Sequence, residues 1–320
     1  MIDFRYHLVS IVSIFLALAV GIVLGAGPLK GEIGNTLSKE VAGLRQDKAD
    51  LNAQLSQANA GVEARDAYIG ETNPQVLDGV LRDRRVALVV LPGSDAAVSE
   101  STSASLRQAG ASVVSTTSVS DAWVTTDESA ASARDTAVTQ AATRAGVDIG
   151  DPGSVSPRDV LLAGLLTSPT RDAADAVAAS TARAGLEVLS SAELVEIDTE
   201  GFELADLVVV IGGTTTQGDL EARRTAAGRW VDLTIALDDR SAGTLVAGES
   251  TTAGDGVSMV DAVRNDATAT RGVSTVDNAG GALGQASVVH GLAEQAAGDV
   301  GQYGLAKGAD APYAPLPAAS

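Results

Sequence analysis

Cysteine is absent from this chain. Its absence excludes disulfides, thiolate metal sites, iron–sulfur clusters and cysteine nucleophiles. Histidine and methionine are nearly missing, with two of each, and aromatic residues make up only 3%. The imidazole and thioether ligands that hold copper or zinc are therefore scarce, and the residues predict no metal site. Positive charge is short too. The 22 Lys and Arg stand against 41 Asp and Glu, a formal net charge of −19. A surface that acidic repels phosphate backbones and argues against a nucleic-acid partner. No Gly-Lys-Ser/Thr occurs, so there is no P-loop.

Long apolar sequence is plentiful at one place. From Leu8 to Leu29 no residue carries a charge. As a helix this run rises roughly 33 Å, enough to cross a hydrocarbon core. Secretory apolar regions are shorter and end in a cleavage site. Gly25, Ala26 and Gly27 are small enough to be cut, but the run passes straight into a charged helical pattern. Retention as a single-pass anchor over residues 1–30 is the better reading. Asp3, Arg5 and His7 precede the run, so the N-terminus is expected in the cytoplasm and the body outside it. Ala17, Gly21 and Gly25 recur every four residues, a small-residue stripe that lets two membrane helices pack closely.

A second pattern follows over residues 31–72. Leu37, Val41, Leu44, Lys48, Leu51, Leu55, Ala58, Val62, Arg65 and Ile69 are spaced alternately four and three apart. That is the a/d repeat of a coiled coil, and it predicts a homodimer joined through Leu37, Val41, Leu44, Leu51, Leu55 and Val62. Lys48 falls at an a position, where a polar residue limits register and strand number. Asn73-Pro74 is expected to end the helix.

The body, residues 85–300, alternates short apolar runs with Ala-rich helical patterns. "VALVVL" (Val86 to Leu91), "LVVVI" (Leu207 to Ile211) and "TLVAG" (Thr244 to Gly248) each end at Gly or Pro-Gly. Unbroken apolar strands of this kind suit a parallel sheet covered on both faces. Ser112 to Ser115, Leu186 to Leu189 and Val273 to Val276 are weaker strand candidates. Helices are expected over 95–109, 126–145, 158–166, 172–184, 219–237 and 282–297. The fold class is α/β: an anchor, a coiled-coil stalk, then an open, doubly wound, mostly parallel Rossmann-like sheet of about six strands. A helical insertion is expected over 120–170, around the loop "VDIGDPGSVSP" (Val147 to Pro157). The Pro/Ala/Gly-rich tail, 303–320, is expected to be disordered.

In such a sheet ligands sit beyond the carboxyl ends of the strands. The loop "IGGTTTQGD" is the candidate there: Gly212, Gly213, Thr214 and Thr215 could cradle an anion beside a helix N-terminus. "AGGALG" (Ala279 to Gly284) lacks the first Gly of a dinucleotide fingerprint, and "GESTT" lacks the last Gly of a nucleophile elbow. Gly-rich strand ends are common in this fold class and more often serve the turn itself. His7 lies at the membrane edge. His290, four residues before Glu294, reads as a packing or surface residue. Asp238-Asp239 reads as a solvated helix end. No catalytic residue, metal ligand or cofactor is assigned, and nothing supports an enzyme.

The opening "FRYHLVSIVSIFLALAVGIVLGAG", the heptads, and "VSTVDNAGGALGQASVVHGLAEQAAGDVGQYG" (Val273 to Gly304) together resemble the MctB family of actinobacterial envelope proteins. The resemblance spans essentially the whole chain in the same order. It implies a copper-homeostasis role and a membrane location, outer membrane included, because the eponym is described as an outer-membrane channel that limits copper accumulation. It also implies a possible partner, a septal cell-division factor that influences cell-wall hydrolysis. Copper enters through this resemblance alone. The residues themselves read better as a bitopic scaffold than as a barrel, because the strands are unbroken apolar runs separated by helices.

Overall fold

A computed structural model describes residues 4–26, 29–149, 156–168, 173–197, 201–250 and 256–316. Parts of five sequence features lie outside these residues: Gly27 and Pro28 of the apolar run, 150–155 of the expected loop, Asp172 of an expected helix, Thr251 and Thr252 of "GESTT", and 317–320 of the tail. The chain divides into two units, residues 1–65 and 66–320.

The first unit is helical. Helix α1 (Phe4–Ala26) is long and apolar enough to span a membrane, and none of its apolar window is buried. Helix α2 (Leu29–Leu77) begins here and ends in the second unit. It does not stop at Asn73-Pro74 as expected. Pro74 sits inside the helix, which continues to a wholly buried Leu77. An interior Pro costs about 3 kcal/mol. Offsetting this, the buried Asn73 amide donates to the Ala282 carbonyl, and the Thr72 hydroxyl donates to the carbonyls of Tyr68 and Ile69.

The second unit is an α/β body. Strand β1 (Arg85–Val90) leads to α3 (Ala96–Gln108) and β2 (Ser112–Val119). A 3-10 turn (Asp121–Val124) and helices α4 (Glu128–Ala145), α5 (Pro157–Leu166) and α6 (Ala173–Ser191) follow, then β3 (Val195–Ile197) and β4 (Leu207–Ile211). Next come β5 (Thr214–Thr215), α7 (Leu220–Asp238), β6 (Thr244–Ala247), β7 (Val257–Ser258) and α8 (Met259–Arg264). A second 3-10 turn (Ala269–Arg271), β8 (Ser274–Val276), α9 (Ala282–Ala297) and β9 (Gln302–Tyr303) complete it.

The main sheet has seven strands in the order β3-β2-β1-β4-β6-β8-β9, all parallel except β3, which runs antiparallel to β2 at the edge. The expected parallel, doubly wound sheet is present, with one strand more than expected. Both faces are apolar. Val89, Val208 and Val210 face the core under α4–α8, whereas Val86, Leu88, Val209 and Ile211 face the core under α3 and α9. Period-two alternation between two apolar layers is why these runs read as continuous. β5 and β7 form a separate antiparallel pair.

Leu186 to Leu189, expected as a strand, lies in α6. Ala182, Leu186 and Leu189 are all buried at helical spacing, and a Cβ on Gly185 would lie 3.0 Å from the side chains of Ala145 and Leu165. The segment from Tyr303 was expected to be disordered. Through Leu316 it is described, and its first half pairs back on the body. Asp310 and Ala311 donate their N–H groups to the Gln302 carbonyl, Gly304 donates to Ala311, and Ala314 is buried. These bonds cover the open edge of β9, which would otherwise expose unpaired backbone groups.

Candidate functional site

Strand order reverses between β2 and β4 on either side of β1, so a ligand crevice is expected beyond the carboxyl ends of β1 and β4. Gly212, Gly213, Thr214 and Thr215 lie there, all half-buried. Several of their backbone groups already have partners within the chain. Gly212 N–H donates to Ala247 at 2.7 Å, Met259 N–H donates to Gly213 at 3.0 Å, and Thr214 N–H donates to Gly93 at 3.4 Å. Thr214 and Thr215 pair with Ser258 and Val257. A Cβ on Gly213 would lie 1.9 Å from the Pro92 carbonyl oxygen. Gly93 has φ +75°, and a Cβ there would lie 2.7 Å from the Thr214 oxygen. The glycines therefore let two strand-end loops touch backbone to backbone, and the arrangement needs glycine on both sides.

The N-terminus of α9 is the other place where this fold would hold an anion. Here the chain puts its own carboxylates. Glu249 accepts the Gly280 N–H at 2.8 Å. The Asp66 carboxylate lies 3.0 Å from where a Cβ on Gly281, the N-cap of α9, would stand. Burial raises the Glu249 carboxyl above its ordinary range; the Gly280 bond works against this, and the like charges of Asp277 and Asp95 add to it. A phosphate at this helix end would meet two carboxylates.

Immediately beyond β8, Asp277 is 4% exposed and fully bonded. It accepts Arg264 Nη1 at 2.6 Å, Leu305 N–H at 2.8 Å and Ala306 N–H at 2.9 Å. Arg264 also donates to Thr275 at 2.8 Å and to the Tyr303 carbonyl at 2.6 Å. Gly304 packs so closely on the Asp277 carboxyl that a Cβ would fall 2.2 Å from it. Tyr303 donates its hydroxyl to Glu294. This buried pair fastens the C-terminal segment to the sheet. Sequence reasoning missed it because the partners come from separate stretches of chain.

A second buried ionic group sits in the helical insertion. Asp159 of α5 has no exposed surface, and its Oδ1 accepts the Trp123 indole N–H at 2.7 Å. Arg158 Nε is 3.5 Å away, and Asp159 Oδ2 has no hydrogen-bond partner. Burial pushes this carboxyl up to about 6, against the opposing pull of Arg158 and the Trp123 bond. The 3-10 turn holding Trp123 is pinned from two more sides. Arg134 of α4 donates to the carbonyls of Trp123 and Thr125, and Arg229 of α7 donates to that of Val124.

Candidate metal ligands are dispersed. Met259 is buried against Gly212. His290 is 2% exposed within α9, its ring nitrogens unbonded, and burial lowers its basicity so that the neutral ring is favoured. Among the described residues no three His, Cys, Asp or Glu side chains are grouped to hold a metal ion. An open groove of about 610 Å³ lies between α7 and α8, floored by Ala227, Val231 and Val257 and rimmed by Arg224, Asp261 and Asp266.

The residues expected to mediate self-association lie in the first unit. Ala17, Gly21 and Gly25 are exposed on α1, and a Cβ on either glycine would meet nothing within 4 Å. Leu37, Val41, Leu44, Leu51, Leu55 and Val62 are 37–68% exposed along α2.

The profile of one protein family, described as "Copper transport outer membrane protein, MctB", matches residues 1–314. A curated relative named copper transporter MctB in Mycobacterium tuberculosis is 27% identical, over 97% of this chain and 98% of its own length. A relative of the same name in Mycobacterium leprae is 28% identical, with the same coverage of both chains. The match runs through the apolar helix, α2 and the α/β body alike, and the chain belongs to the MctB family.

Proposed function

We propose that this protein works in copper homeostasis as a membrane-anchored component of the cell envelope, with residues 1–30 as anchor, 31–72 as stalk and 85–300 as body. The observation that carries the reading is the family match over residues 1–314, joined to an apolar helix α1 with no buried window. The weakly positive N-terminal flank favours a cytoplasmic N-terminus and an exported body. The chain is read as a non-enzyme, since its strand-end crevice is filled by its own backbone and its anion cradle by its own carboxylates. With ligands for a soft cation so dispersed, copper is treated as the cargo of the process and not as a resident ion of this chain. The test is growth of a deletion strain on graded copper. The strain should be inhibited at lower copper than its parent, and the gene should restore tolerance. Equal tolerance in all three strains refutes the reading.

One observation favours a second reading alongside it. An exposed heptad seam on α2, and strand-end loops that pack backbone to backbone at Gly93 and Gly213, suit a bitopic scaffold, dimeric through the coil, whose body binds a cell-division or cell-wall protein. Crosslinking in membranes followed by pull-down tests this. Recovery of a division or cell-wall protein supports the scaffold, and recovery of none counts against it.

A further inference from the structure

The seam of α2 carries more than apolar positions. With Leu37, Leu44 and Leu51 at d, the a positions are Val41, Lys48, Leu55 and Val62. β-Branched residues at a with Leu at d favour two strands. The flanks add charge. Glu40 and Asp47 stand at g, and Arg45 stands at e. All three, and Lys48, are exposed, and none has an ion pair within its own chain among the described residues.

We infer that α2 pairs with a second copy of this chain as a parallel, in-register, two-stranded coil, in which Glu40 faces the partner's Arg45 and Lys48 reaches the partner's Asp47. The inference rests on the homodimer reading above and adds its orientation and register. In a parallel pair, a g residue meets the e residue five positions later on the other helix, and Glu40 to Arg45 is that step. An a-position side chain packs beside the g residue just before it on the other helix. For Lys48 that residue is an aspartate, so this cation in the seam gains an anion from the partner. Each match occurs twice by symmetry. An antiparallel pair sets g against g and e against e, which removes the Glu40–Arg45 match. Lys48 thereby acts as a register pin: a one-heptad slip moves both lysines away from Asp47, setting one beside Gln54 and facing Leu55 and the other beside Glu40 and facing Val41.

The absence of cysteine makes the test clean. Leu44→Cys, Leu51→Cys and, as an outward control at an f position, Gln46→Cys are introduced singly into the full chain and oxidised in membranes with diamide. The inference predicts covalent dimers at Leu44→Cys and Leu51→Cys, at least about tenfold above Gln46→Cys, because like d positions face each other only in a parallel, unshifted pair. In a second arm, Glu40→Arg should reduce the dimer yield by several fold, and Glu40→Arg with Arg45→Glu should restore it. Crosslinking that fails between like positions but appears in mixtures of Leu44→Cys with Leu55→Cys or Leu37→Cys overturns the register while leaving self-association standing. A chain that stays monomeric at every seam position overturns both.

Discussion

Replacing Asp159 with Asn isolates the energetic effect of a buried charge. The folded carboxyl titrates at about 6 against an ordinary 3.8. The difference is about 2 pH units, each worth about 1.4 kcal/mol, so this group changes folding stability by roughly 3 kcal/mol. The sign follows from which state holds the proton. Between the two values the folded state binds it and the unfolded chain does not. The contribution is therefore full below about pH 3.8 and is lost as pH rises through about 6. In the Asp159→Asn variant the amide oxygen can still accept the Trp123 N–H, and no proton is exchanged. Urea unfolding of the detergent-solubilised full chain at pH 4, 5, 6 and 7, followed by tryptophan emission, reads the effect, since both tryptophans are buried. The stability change from pH 4 to 7 should differ between wild type and Asp159→Asn by roughly 2–2.5 kcal/mol, the wild type falling further. Asp238, also raised to about 6 by burial beside Asp239, contributes in the same direction to both proteins and cancels. Parallel pH profiles would refute the reasoning.

Three other outcomes follow from packing. Arg264→Met removes the cation from a pair whose side chains are each 3% exposed and should cost about 3–5 kcal/mol in chemical denaturation, because Asp277 is left charged and buried. Gly213→Ala forces a methyl into the Pro92 carbonyl and should lower stability by at least about 2 kcal/mol, whereas Gly228→Ala, in the interior of α7 with nothing within 4 Å, should raise it by about 0.5–1 kcal/mol; thermal melts of the two variants moving in the same direction would contradict this. Limited proteolysis should release the C-terminal segment sooner in Asp277→Asn than in wild type, since Asp277 holds the N–H groups of Leu305 and Ala306.

Much of the architecture is legible in local sequence. The apolar run of α1, the long helical pattern of α2 and the Gly-terminated strands β1, β4 and β6 each carry a period or a stop signal that belongs to the segment alone. The short edge strands are not legible. β3 has three residues and β9 has two, so no period can be expressed, and their pairing is decided by neighbours far along the chain. Leu186 to Leu189 misleads because four residues are too few to show the helical spacing of the buried Ala182, Leu186 and Leu189. Pro74 misleads because tertiary contacts of Asn73 and Leu77 override a local stop. At the candidate site, Gly212 and Gly213 are visible as a loop, but what they accommodate is not: the Pro92 carbonyl comes from another strand end. The Glu249 and Asp66 carboxylates at α9, and the Arg264–Asp277 pair, depend on residues brought together only by the fold.

If this chain restrains copper from the membrane, cellular copper is the direct readout. Mass spectrometry of washed cells grown at a fixed copper supplement measures it in a deletion strain carrying either the full gene or a version lacking residues 4–26. Copper should be raised in the deletion strain, restored to the parental level by the full gene, and left raised by the version without α1. Copper content unchanged by the deletion would contradict a copper-restraining role.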